Sequence, residues 1–219
     1  MTARVLGKIG ILSMVLLSSC IGLSADIAIR RDGSGTIALE YRISAALESL
    51  GKLDGNEGTP LLPVGRTDFE RTAARIPGLA LRSFSTGERN GETVVKAALG
   101  FSDLEALTAF LDALGQGARL SREQGRFRLS LTLGGGLENQ DQEFLDLLRA
   151  YSQDAALDLS FTLPAGGTLT LRDREGRAIA APPGGSAVLE GRKLRFASPL
   201  GDLLTAPAIT LELEWAGSK

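Results

Sequence analysis

Apolar residues recur at two spacings along this chain. Every second residue is apolar in Thr36–Ile43 (Ile37, Leu39, Tyr41, Ile43), in Arg126–Leu133 (Phe127, Leu129, Leu131, Leu133), in Leu157–Leu163 and in Ile209–Trp215. That period predicts strands with one buried face. Spacings of three and four in Asp103–Leu114 (Leu104, Leu107, Phe110, Leu111, Leu114) predict an amphipathic helix. Turn residues separate the strands. Asp32-Gly33 divides Asp26–Arg30 from Thr36–Ile43, Asn90-Gly91 divides Leu79–Thr86 from Thr93–Phe101, and Glu123-Gln-Gly125 divides Ala118–Arg122 from Arg126–Leu133. Each pair reads as a hairpin.

Helical patterns follow the hairpins. Ala45–Leu50 is a short piece stopped at Gly51, and Ser102-Asp-Leu-Glu105 is a capping box that opens the helix over 103–114. A third helix runs from Asp141 to Tyr151. One more, begun at Thr67 or Asp68 and ended before Pro77-Gly78, follows a Gly- and Pro-rich loop over Lys52–Arg66. After residue 152 the pattern turns to β, with strands at Leu157–Leu163, Thr168–Arg172, Arg192–Ala197 and Ile209–Trp215 and a helical turn at Pro199–Thr205.

The predicted fold class is α+β: an antiparallel sheet built from repeated hairpin-helix (ββα) units with helices on one face, plus a β-rich C-terminal part. The units occupy residues 26–152. Residues 153–219 continue the same sheet or form a separate part. The other sheet face, with Glu40, Arg42, Arg126, Arg128, Asp158, Glu212 and Glu214, reads as solvated.

The N-terminal segment changes the picture. Arg4 and Lys8 precede an apolar run, Ile9–Leu17, that is short of the ~20 residues a bilayer span requires. Leu17-Ser18-Ser19-Cys20 closes it and resembles the lipobox of bacterial lipoproteins. The resemblance implies cleavage of a signal peptide, residues 1–19, and acylation of Cys20, with residues 20–25 as lipidated cysteine and tether. Two acyl chains on one residue give stable anchoring. Cys20 is the single cysteine, so no disulfide can form within one chain.

Composition excludes several chemistries. The chain has no histidine, which removes Ser-His-Asp and Cys-His catalysis, the common zinc sites and the usual pH switch. A net charge of −2 with 5% aromatic residues is no nucleic-acid footprint. Gly134-Gly-Gly136 lacks the Lys-Ser/Thr of a phosphate loop and reads as a turn. Asp68, Glu70, Glu138 and Asp141 fall in loops or helix starts, where acidic residues favour the dipole. Arg30 and Arg31, just past the tether, are candidate membrane-surface contacts, and Arg192-Lys193-x-Arg195 is a second basic cluster. Trp215, Phe127, Phe161 and Phe196 are core or cavity lining. No catalytic residue, metal ligand or cofactor is assigned.

With these residues in view, the hairpin Arg31-Asp-Gly-Ser-Gly-Thr36 after the cysteine resembles the opening of the LppM-like lipoproteins of mycobacteria. The order of elements over residues 1–150 is similar to theirs and to that of spirochaete envelope lipoproteins. The likeness departs at the C-terminal end, where LppM-like chains often carry a transmembrane segment and no such run follows Trp215. It implies an α/β domain that binds lipid or glycolipid.

The expected function is therefore a non-enzymatic binding or structural module in the cell envelope. It is anchored by lipid to the cell or outer membrane, faces away from the cytoplasm, and has a lipid or an envelope protein as partner. The alternative is an envelope hydrolase that uses carboxylates. A carrier needs an apolar cavity; a scaffold needs an exposed patch or a free sheet edge.

Overall fold

The computed structural model describes residues 22–44, 65–89, 92–115, 117–135, 142, 146 and 155–217. The expected signal peptide, Cys20, the helix expected at 45–50, the helix expected at 141–151 apart from the helical residues Gln142 and Asp146, the bulk of the loop at 52–66 and the Asn90-Gly91 turn lie outside the described residues.

Among the described residues twelve strands and three helices follow in order: β1 Leu23–Ile29, β2 Gly35–Ser44, α1 Arg66–Arg75, β3 Leu79–Arg89, β4 Glu92–Phe101, α2 Leu104–Ala113, β5 Arg119–Glu123, β6 Arg126–Leu133, β7 Ala156–Thr162, β8 Gly167–Arg172, β9 Ala178–Ile179, β10 Ser186–Glu190, β11 Lys193–Pro199, α3 Leu200–Thr205 and β12 Ile209–Ala216. The fold is α+β and rich in strand. The three hairpins pair as the turn residues predict.

The single antiparallel sheet is corrected by the pairing. There are two sheets: seven strands in the order β10-β11-β7-β1-β2-β4-β3, and five in the order β5-β6-β12-β8-β9. The third hairpin leaves the first two and joins β12 through Leu129↔Leu213 and Leu131↔Leu211. β7 joins β1 in parallel, with Ile27 beside Phe161, inside an otherwise antiparallel sheet. The strands after residue 153 thus divide between both sheets.

Both sheets turn their alternate apolar residues to one core. Ile27, Ile37, Leu99, Phe161 and Leu194 come from the first; Leu129, Leu131, Leu211, Leu213 and Trp215 come from the second. Each such side chain stabilises the fold by roughly 1.5–3 kcal/mol relative to exposure. Helix α2 lies against β3 and β4 of the first sheet and β5 of the second, with Leu104, Leu107, Phe110 and Leu111 buried. Helix α1 covers β3 through Phe69, whose ring centroid is 5.5 Å from that of Phe84. Trp215 and Phe127 stack at 5.8 Å, and Phe161 and Phe196 are fully buried, so this aromatic set is core.

Two helix starts differ by a residue or two from their predicted positions. The N-cap of α2 is Asp103, whose carboxylate accepts from the Ala106 N–H at 2.8 Å, while the Ser102 hydroxyl donates to Asp103. Asp103 rather than Ser102 takes the cap because a carboxylate has acceptors for both. Helix α1 begins after Gly65, and Asp68 reaches back to accept from the Gly65 N–H at 3.0 Å.

Candidate functional site

The strand alternation that fills the core also sets what the first sheet presents outward. On the outer face the register aligns Ser24, Glu40, Lys96 and Ser85 in one row across β1, β2, β4 and β3. The next row is Asp26, Ala38, Ala98 and Ser83. Alanine and serine leave space above the backbone where longer side chains would fill it. The result is an open groove of about 390 Å³ lined by these eight residues with Leu39, Phe84 and Ala97.

Its chemistry is polar. Lys96 and Glu40, directly opposite each other, form an ion pair at 2.9 Å along one side. Asp26 is exposed on the other side, and three serine hydroxyls complete the lining. Two carboxylates against one ammonium leave one negative charge. Such a surface hydrogen-bonds a hydroxyl-bearing or cationic group and has small apolar shelves at Ala38 and Ala98. Farther along β4, Gly100 lies bare beneath Arg82: a Cβ on Gly100 would come 2.6 Å from Arg82 Nε. Arg82 is the extra residue of a bulge between Leu81 and Ser83.

The residues singled out in the sequence are dispersed. Leu17, Ser18, Ser19 and Cys20 lie outside the described residues. Strand β1 begins at Leu23, earlier than the predicted Asp26, so two residues separate Cys20 from the sheet. Arg30 and Arg31 are not beside the tether. Seven extended residues carry them to the far end of β1, ~23 Å from Leu23. They reach a membrane surface near Cys20 only where β1 lies along it. Their turn is locally satisfied: Arg30 Nη1 donates to Ser34 Oγ at 3.2 Å, and Asp32 accepts from the Ser34 hydroxyl and N–H. Those two bonds, the hydroxyl first, hold the Asp32 carboxyl below its ordinary range.

Asp68 is engaged with Gly65 and pairs with Arg71, and Glu70 pairs with Arg66. Glu138 and Asp141 lie outside the described residues. In the second basic cluster Arg192 donates to the Leu163 carbonyl at 2.8 Å, a hairpin-to-strand tie. Gly134 and Gly135 both take φ of +79°, and a Cβ on Gly135 would lie 2.6 Å from the Ala208 side chain. These glycines let the end of β6 pass close to the α3–β12 connection.

Among the described residues no group of three or more His, Cys, Asp or Glu side chains can hold a metal ion. No helix among them is long and apolar enough to cross a membrane. Tyr41, buried in β2, has its phenol pushed well above the ordinary range, by burial first and by the nearby Asp68 charge second.

The whole arrangement is similar to a solved structure. The folded domain of LppM from Mycobacterium tuberculosis, determined by NMR, superposes with a TM-score of 0.50 over 91% of this chain and 91% of that one. Identity is 16%, so the likeness is one of fold. No protein-family model and no curated protein sequence matches the chain.

Sequence reading missed the groove. Its trace is the small residues Ala38 and Ala98, which occupy the polar face of their strands, where solvated faces ordinarily carry long side chains.

Proposed function

We propose that the chain is an envelope lipoprotein, held through acylated Cys20, that acts as a non-enzymatic binding module. Its site is the outer-face groove, and its ligand is the polar headgroup of a lipid or glycolipid. The observation that carries this reading is the position of the groove. Its lining begins at Ser24, four residues after Cys20, within ~14 Å of the anchor even with the chain extended. The volume suits a headgroup. The hydroxyl and carboxylate lining suits sugar hydroxyls or an amine. The lipid's own acyl chains stay in the membrane, so the groove requires no apolar cavity.

The test is native mass spectrometry of the full chain extracted in mild detergent. The wild type retains a lipid or glycolipid adduct. Ala38→Phe, at an exposed groove-floor position, fills the space and loses the adduct while keeping its circular dichroism spectrum and its membrane fraction. An adduct equally strong on Ala38→Phe, or none on the wild type, sinks this reading.

A further inference from the structure

Arg82 lies beside the groove, on the edge strand β3. Successive residues of a regular strand point to opposite faces. The bulge breaks that alternation: Arg82 is the extra residue between the pairs Leu81↔Leu99 and Ser83↔Ala98. A bulge of this kind re-aims a side chain. Here it brings Arg82 to the outer face, next to the exposed Ser83, with its guanidinium over Gly100. A Cβ on Gly100 would come 2.6 Å from Nε and 3.1 Å from Nη2. A bulge also blunts an edge, but Gly100 stands on β4, inside the sheet, where edge protection needs no glycine. Glycine within a strand weakens it and often marks a close approach. Among the described residues the Arg82 side chain has neither an ion-pair nor a hydrogen-bond partner, so its seat adds no charge contact to the fold.

The seat adjoins the groove at the end away from Cys20. Gly100 follows the floor residue Ala98 by two positions on β4, and its row holds Thr36 on β2 and Ala28 on β1. That row lies four residues beyond Ser24 along β1, ~13 Å farther from the anchor. The exposed hydroxyls of Thr36 and Ser83 flank the guanidinium. On the groove's other side Asp26 is an exposed carboxylate that likewise has no partner among the described residues. Asp26 and Gly100 are two strands and one row apart, a Cα separation of ~12 Å, with the small residues Ala38 and Ala98 between. Less the reach of the two charged side chains, that span is one sugar ring.

We propose that Arg82 is a specificity-determining residue of the groove, and that the headgroup it selects is an acidic sugar with a terminal phosphate or carboxylate. This inference rests on the reading of the groove as a headgroup site. A guanidinium presents a planar fork of donors that matches an oxyanion. The sugar ring lies on Ala38 and Ala98, its amine or hydroxyls meet Asp26, and its oxyanion meets Arg82, Thr36 and Ser83. Arg82 also balances the one negative charge that Asp26, Glu40 and Lys96 leave in the groove. The phosphodiester that joins a headgroup to its acyl chains stays at the membrane, beside the anchor. The acid at Arg82 is therefore a second one, at the outer end of the headgroup.

The full chain in mild detergent is titrated with glucosamine 6-phosphate, glucosamine and inorganic phosphate, each followed by ligand-observed NMR. The wild type should bind the sugar phosphate roughly tenfold or more tighter than either of the others, as a charge-assisted bond predicts. Arg82→Gln should bring the sugar phosphate down to the affinity of glucosamine. Gly100→Ala should do the same with the arginine still present, because its Cβ displaces the guanidinium. Both variants should keep the wild-type circular dichroism spectrum. Galacturonic acid bound as tightly as the sugar phosphate names a carboxylate as the terminal acid, and galacturonic acid bound no tighter than galactose names a phosphate. Equal wild-type affinity for glucosamine and its phosphate, or binding of neither, overturns this inference and leaves the groove itself to the lipid-adduct experiment. Inorganic phosphate bound as tightly as the sugar phosphate overturns it too, since the anion then needs no groove. In native mass spectra Arg82→Gln should lose the lipid adduct of the wild type, and an adduct of undiminished strength on that variant overturns the lipid headgroup as the source of the acid.

Discussion

Asp103 shows how one side chain starts an element. Its carboxylate takes the Ala106 N–H and the Ser102 hydroxyl, and those bonds, the hydroxyl first, hold it below its ordinary value of 3.8. Asp103→Ala should cost about 0.5–2 kcal/mol in denaturant unfolding. Because the folded-state value is depressed, the contribution is present above the ordinary carboxylate range and is lost as pH falls through the folded-state value. The gap between wild type and Asp103→Ala should therefore narrow below pH 3.8. A gap that widens with acid contradicts the cap. Tyr41 has the opposite sign. Its phenol is raised, so its stabilising contribution is complete below 10 and is lost as pH rises beyond it. Absorbance titration should show Tyr41 silent at pH 10–11 in the folded chain, and Tyr41→Phe should leave that titration curve unchanged. Gly135 is constrained by geometry: Gly135→Ala combines a φ of +79° with a clash at Ala208 and should destabilise by more than ~1 kcal/mol.

At the scale of elements, the strands and α2 were legible because each carries a periodic apolar stripe and a local stop. Phe127, Leu129, Leu131 and Leu133 announce β6, and all but Phe127 are fully buried. β10 escaped notice: its short Ser-Ala-Val-Leu-Glu run sits on an edge, where alternation is weak. Arg30 and Arg31 stand at the far end of β1 from Leu23, because sequence distance from Cys20 is a poor guide to spatial distance once the intervening residues are an extended strand. The groove was unreadable from any one strand, since it exists only where the small residues of β1, β2, β4 and β3 come into register. Trp215, next to the last residue of β12 and stacked on Phe127, ties the second sheet to the core. Trp215→Ala should cost about 3–5 kcal/mol, measured by circular dichroism in denaturant. A loss below ~1 kcal/mol would mean that the second sheet does not depend on that contact.

The whole molecule was the least legible. Hairpins announce themselves through turns, but nothing local tells the third hairpin to leave the first two and pair with β12, where Arg128 meets Glu214, 86 residues later, at 2.6 Å. Long-range pairing is chosen by the fit of complete apolar faces. The two sheets enclose one core and leave a polar groove on the outer face of the first, starting at Ser24. Everything proposed for that groove depends on its being held at a membrane by Cys20. The most direct test is metabolic labelling of the full chain with a fatty acid, comparing wild type with Cys20→Ser and fractionating both. The account predicts label and membrane residence in the wild type and a soluble, unlabelled Cys20→Ser chain. An unlabelled wild type, or a Cys20→Ser chain that stays in the membrane fraction, would contradict it.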